Sequence, residues 1–161
     1  MKKLLVTVMV VALLATGSGV ALAGGPTEKA TGTVGGPPRG WYADFNAHES
    51  MGNRPAKGDM YMWSDEVGRE LYLDVKYVEI DGDEGWFAAL CTYDSFGTVG
   101  GKWLFVKVYD GGTPGRKGDH IGWDWDSGTN EANAEGRVSA MEPPTNWWAV
   151  TDGNLVVHTY D

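Results

Sequence analysis

From residue 39 onward, apolar and polar side chains alternate in short runs broken by glycine, proline, asparagine and aspartate. A period of two between turn residues predicts β-strands. Over 39–48, Trp41, Ala43, Phe45 and Ala47 share one face, and Tyr42, Asp44, Asn46 and His48 share the other. Over 70–80, Leu71, Leu73, Val75 and Tyr77 fall opposite Tyr72, Asp74 and Lys76, after which Val78 and Ile80 reverse the phase. That reversal predicts a β-bulge or an exchange of faces near Tyr77. Asp81-Gly82 then supplies the positive φ that a tight hairpin needs, and 85–93 returns as an apolar strand. Residues 102–110 set Leu104, Val106 and Val108 against Trp103, Phe105, Lys107 and Tyr109. Residues 120–126 set Ile121, Trp123 and Trp125 against Gly122, Asp124 and Asp126. A shorter strand is predicted at 60–63, and a last one at 154–160 after Asp152-Gly153. Only 130–141 shows a weak helical period, read as a loop or a short helix.

Short strands joined by short turns predict an all-β fold, an antiparallel meander closed as a small β-barrel, with a β-sandwich as the alternative. Closure is preferred because it removes the exposed edges that a sheet must otherwise protect.

The pattern before residue 39 is different. Lys2 and Lys3 precede an apolar run over 4–15, and Ala21-Leu22-Ala23 stands before Gly24. A positive start, a short apolar middle and a small-x-small exit form a secretory signal peptide, and cleavage is expected between Ala23 and Gly24. The apolar run is about 12 residues long, whereas a bilayer-spanning helix needs roughly 20. The expected organisation is a signal peptide over 1–23, a flexible leader over 24–36 that turns into an edge strand from Ala30, and one all-β domain over 37–161. The expected location is extracytoplasmic, secreted or periplasmic, in a bacterial host, with no membrane span in the mature chain.

Charge narrows the partners. Loss of 1–23 removes two lysines and no acid, so the formal charge moves from −9 to −11. An acidic surface gains nothing by releasing counterions from nucleic acid or an anionic membrane, which excludes nucleic acid as the expected partner. Divalent cations and neutral glycans remain compatible. Cys91 is the single cysteine and lies in an apolar run, so it reads as a buried, inert thiol and no disulfide within the chain is possible.

Several short pieces of the chain resemble a widespread group of exported bacterial all-β domains of unknown function. They are Phe45-Asn46-Ala47, the hairpin around Asp81-Gly82, the D-x-G-x-P-G loop Asp110-Gly111-Gly112-Thr113-Pro114-Gly115, and the terminal Gly153-Asn154-Leu155-Val156-Val157. The resemblance spans roughly 30–160 and implies the β architecture. It brings no activity and no functional residue, and the chain departs from it in its extra tryptophans and in the stretch 131–144.

Two sets of residues carry candidate chemistry. Asp110, Asp119, Asp124 and Asp126 surround a glycine-rich loop, and calcium takes six to eight oxygens from such carboxylates and carbonyls. The competing reading is that Asp110 and Asp119 cap a turn while Asp124 and Asp126 face solvent. Among eight tryptophans, Trp123 and Trp125 share a strand face, and adjacent Trp147 and Trp148 point opposite ways if extended. Indoles stack on sugar rings, and they equally fill a β core. Burying Asp124 and Asp126 without basic partners would cost several kilocalories per mole, so the tryptophan face is expected to point inward. His48, His120 and His158 lack metal-ligand spacing, and no nucleophile or nucleotide motif is present.

The functional expectation is an exported, non-enzymatic β-domain with a binding or surface-assembly role, its partner a glycan or a cell-surface component. The alternatives are a calcium-stabilised structural component of an exported assembly and a small β-barrel enzyme.

Overall fold

The structure, a computed structural model, describes residues 28–35, 40–50, 55–112, 117–126 and 130–160. The expected signal peptide lies outside the described residues. Nine strands and one helix follow in order. They are β1 (Lys29–Gly35), β2 (Trp41–His48), β3 (Lys57–Ser64), β4 (Arg69–Asp81), β5 (Glu84–Asp94), β6 (Trp103–Tyr109), β7 (His120–Trp125), α1 (Glu131–Ser139), β8 (Trp148–Ala149) and β9 (Asp152–His158).

All nine strands pair antiparallel in one sheet, in the order β8-β7-β6-β5-β4-β3-β2-β1-β9. The sheet curls strongly into a half-barrel. Its two edge strands, β8 and β9, are separated in the chain only by Val150 and Thr151. Val150 N–H donates to Asp119 O on one side of that step, and Thr151 N–H donates to Gly35 O on the other. One pair of neighbouring residues thus spans the two ends of the sheet.

The alternating faces fall as the periodicity requires. Ala43, Phe45, Ala47, Leu71, Leu73, Val75, Leu104, Val106, Val108, Ile121 and Leu155 are buried inside the curl. Burial of each large side chain contributes about 1.5–3 kcal/mol. In β4, Val75 pairs with Ala89 and Tyr77 with Ala88, so Lys76 is the extra residue of a bulge. The phase change at Tyr77 follows, because Lys76 and Tyr77 both point outward and Val78 returns to the core.

The hairpin between β4 and β5 differs by one residue from expectation. Asp81 pairs with Glu84, which leaves Gly82 and Asp83 as the two-residue loop. Gly82 has φ 59° at the first loop position, and Asp83 does not share that sign. A single positive φ at that position is the glycine-first form of the tight hairpin.

One further expectation is corrected, and one open alternative is resolved as a short helix. The segment read as a flexible leader contains β1, which is paired on both sides, with β2 and β9, and is not an edge strand. Its apolar positions, Ala30 and Val34, are buried four residues apart with glycine and threonine between, too sparse a pattern to mark a strand enclosed on both sides. The weakly periodic stretch 130–141 forms α1, with Asn130 Oδ1 accepting from Ala132 N–H at 3.0 Å at its start. Ala134 and Val138 of α1 cover Trp86, Ala88, Trp103 and Phe105 on the outer face of β5 and β6, a second and smaller core.

Candidate functional site

The four aspartates are held by the fold before any ligand is considered. Asp110 Oδ1 accepts from Gly112 N–H at 2.8 Å, an Asx turn, while its Oδ2 accepts from Val157 N–H at 3.1 Å. Asp119 is fully buried. Its Oδ1 accepts from Gly111 N–H at 3.0 Å and its Oδ2 from Leu155 N–H at 3.3 Å. Both carboxylates reach from the β6–β7 connection to backbone donors of β9. They bridge the two ends of the sheet where no strand-to-strand ladder does, and the donors would otherwise be buried without partners.

Asp124 lies on the outer face of β7, and Asp126 directly follows the end of that strand. Asp124 Oδ2 accepts from Arg137 Nη2 at 3.1 Å, and its Oδ1 accepts from Thr145 N–H at 3.0 Å. Asp126 Oδ2 accepts from Asn133 Nδ2 at 2.8 Å. The basic partner that the strand sequence does not show arrives on α1, as Arg137. Its guanidinium also lies 3.8 Å from the centre of the Phe105 ring. Among the described residues, no group of three or more His, Cys, Asp or Glu side chains is arranged to hold a metal ion.

The tryptophans divide in two. Trp147 is 41% exposed and stacks on His120, with centroids 5.6 Å apart and planes 7° apart. Lys107 Nζ sits 5.3 Å from the same ring. The segment that carries Trp147 crosses β7 at Gly122, where a Cβ would collide with Asn146 O and the Trp147 ring. Trp123, Trp125 and Trp148 are half-buried. Trp123 and Trp125 pack on the inner core, and Trp148 lies against Trp123 at 4.6 Å.

Trp123 and Trp125 meet Trp41 at one open end of the half-barrel, around a cavity of about 280 Å³. Met62 and Leu71 form its apolar floor, and Val67, Arg69 and Phe96 line its rim. The rim is rigid for an electrostatic reason. Asp94, 1% exposed at its side chain, accepts from Arg69 Nε at 2.9 Å and Nη2 at 2.8 Å. It also accepts from the backbone N–H groups of Phe96, Thr98 and Val99. Burial pushes this carboxyl up, but Arg69 and the three amides outweigh it and hold it below the usual carboxylate range. The same pairing lays the Arg69 guanidinium over the Phe96 ring, 5.4 Å from its centre. Among the described residues, Nη1 of Arg69 has no acceptor, and none of the cavity's lining groups is a carboxylate or an imidazole.

Sequence reasoning places Trp123 and Trp125 on one face and leaves out Trp41, Arg69 and Phe96, which come from β2, β4 and the β5–β6 loop. The signal for Trp41 was present, since it heads the apolar face of 39–48. Only the curl of the sheet brings that strand end opposite β7.

A second aromatic array was not anticipated. Tyr42, Trp63, Tyr61, Tyr72 and Tyr93 form a cross-strand ladder on the outer face, with successive centroids 5.1, 5.2, 4.8 and 5.5 Å apart. The first three contacts have planes within 14–29° of parallel. Along these three contacts the rings cover one another's faces, while Tyr72 and Tyr93 are tilted 56° to each other and remain exposed. The ladder therefore stabilises the sheet and offers a sugar few free ring faces. The open cavity, with indoles from three directions, is the better site.

Within the described residues, no helix is long and apolar enough to cross a membrane. No family model, no curated protein and no solved structure matches the chain.

Proposed function

We propose that this chain is an exported, non-enzymatic binding domain that takes the terminal ring of a neutral glycan into the open end of its half-barrel. The observation that carries the reading is the convergence of Trp41, Trp123 and Trp125 on a single cavity of about 280 Å³. That volume lies near the lower limit of ligand pockets and suits one ring-sized group, not a length of chain. Indole faces meet the apolar face of a sugar, and Arg69 Nη1 at the rim is the donor for a ring or hydroxyl oxygen. The guanidinium charge is already balanced by Asp94, so the site favours neutral over acidic sugars.

Binding is preferred to catalysis because the groups around the cavity stack and donate, and among the described residues they include no acid–base pair. A calcium-stabilised role draws no support from the four aspartates, each of which already accepts from described protein donors. Export rests on Lys2, Lys3, the apolar run and Ala21-Leu22-Ala23.

Calorimetric titration with a panel of neutral oligosaccharides tests the reading. At least one is expected to bind saturably, and Trp125→Ala and Trp41→Ala are each expected to weaken it about tenfold, ~1.4 kcal/mol. Absence of binding across the panel, or binding untouched by both substitutions, contradicts it.

A further inference from the structure

The opposite end of the sheet carries an arrangement that the overall charge does not suggest. On the outer face, His158 of β9 stands beside Lys29 of β1, Lys29 beside His48 of β2, and His48 beside Lys57 of β3. Four basic side chains thus run across four adjacent strands, each about 4.8 Å from the next, in a chain with nine more acids than bases.

With the histidines neutral, the fixed charge of the row sits on Lys29 and Lys57, which His48 separates; protonation of His48 would place a like charge between them, which is destabilising. Lysines on edge strands are a common guard against aggregation, but β1, β2 and β3 are interior strands and need none. The pKa of His48 is lowered, by burial first and then by Lys29 and Lys57, against an opposing pull from Asp59. The surroundings are acidic. Asp59 lies beside the row, Asp74 pairs with Lys76 at 3.3 Å, and Glu28 and Glu49 lie just past its rim.

We propose that this row binds a linear anionic polysaccharide, a uronic-acid polymer laid across the strands with its carboxylates on Lys29, His48, Lys57 and their neighbours. Local charge complementarity identifies the chemistry, and the narrowness of the row identifies the shape. A flat anionic membrane would press on the flanking carboxylates as well and be repelled, whereas a chain one strand wide follows the row. A single-stranded nucleic acid would need free aromatic faces on which its bases could stack, and the neighbouring ladder covers its own along three contacts. The site is remote from the cavity at the other end of the sheet and does not depend on it.

The test is binding of polygalacturonate to the intact chain at low salt, with its fully methyl-esterified form as the uncharged control. The polymer is expected to bind and the ester not. Both about 200 mM salt and the pair Lys29→Gln with Lys57→Gln should weaken binding about tenfold or more, by loss of released counterions. The His48 titration, followed by NMR, should move to higher pH on binding as the polymer's carboxylates offset Lys29 and Lys57. Trp125→Ala should leave all of this unchanged, which separates the site from the cavity. The proposal is overturned if polygalacturonate does not bind, if the ester binds equally, or if the double variant, with an unchanged melting midpoint, binds as well as wild type. Tighter binding to anionic vesicles or to single-stranded DNA than to the polymer overturns it as well.

Discussion

Asp119 and Asp94 are both aspartates hidden from solvent, and each holds a different part of the fold in place. Asp119 accepts from Gly111 and Leu155, so its removal leaves one buried and one part-buried donor without that partner. Asp119→Ala is expected to destabilise the fold by about 2–4 kcal/mol, since each orphaned donor costs about 1–3. A urea denaturation curve checks this. Asn is no rescue, because it replaces one acceptor with a donor aimed at an N–H. Asp94 fixes the rim, and its lowered pKa gives a sign. A group held below its unfolded value adds stability that is present above the ordinary carboxylate range and lost as the pH falls through and below it. Asp94→Asn should therefore flatten the acid limb of the stability curve and weaken ligand binding at the cavity together. None of this was legible from spacing, because Asp119 and Leu155 are 36 residues apart and meet only when the sheet curls.

The β4–β5 hairpin shows what an element's own sequence determines. Gly82 has open space around its would-be Cβ and φ 59°, so Gly82→Val meets no clash and its cost lies in the backbone alone. The expected loss is about 1–3 kcal/mol, measured as a shifted denaturation midpoint. At the start of β1 and the end of β2, Glu49 is pushed up to about 7 by burial, by a hydrogen bond shared with Glu28, and by the charges of Glu28 and Glu79, against a backbone bond from Ile80. The folded chain holds that proton more tightly than the unfolded chain. Its contribution is thus complete below about pH 4.5 and is lost as the pH rises through 7. Partial exposure of the group keeps the effect small. The difference in melting temperature between wild type and Glu49→Gln, followed from pH 4.5 to 8, isolates it, because the opposite dependence of His48 cancels in the comparison. A difference that does not change with pH contradicts the shared proton.

At the scale of the molecule, local pattern carried the strands and long-range geometry carried the site. The period of two placed Leu71, Leu73, Leu104 and Val106 on the inner face, and the bulge near Tyr77, because each strand's alternation is a property of consecutive residues. It gave β1 only as an edge strand from Ala30, because glycine and threonine separate its two apolar positions, and left α1 open because only Ala134 and Val138 are buried in it. The inward turn of Trp123 and Trp125 was legible from the cost of burying Asp124 and Asp126, although the partner that accompanies Asp124, Arg137, was not. Trp41, Arg69 and Phe96 could not be joined to those tryptophans without the curl that brings β2 and β4 opposite β7. The aromatic ladder and the basic row share that limit, since both depend on the register between strands.

The central claim is that a glycan ring enters among Trp41, Trp123 and Trp125, and the indole N–H signals of the eight tryptophans address it in one NMR spectrum. Titration with the neutral oligosaccharide that binds best should shift the signals of Trp41, Trp123 and Trp125 in common, saturably, while Trp86 and Trp103, buried beneath α1, stay fixed. Shifts confined to the exposed Trp147, or a spectrum in which the three cavity indoles do not move, contradict it.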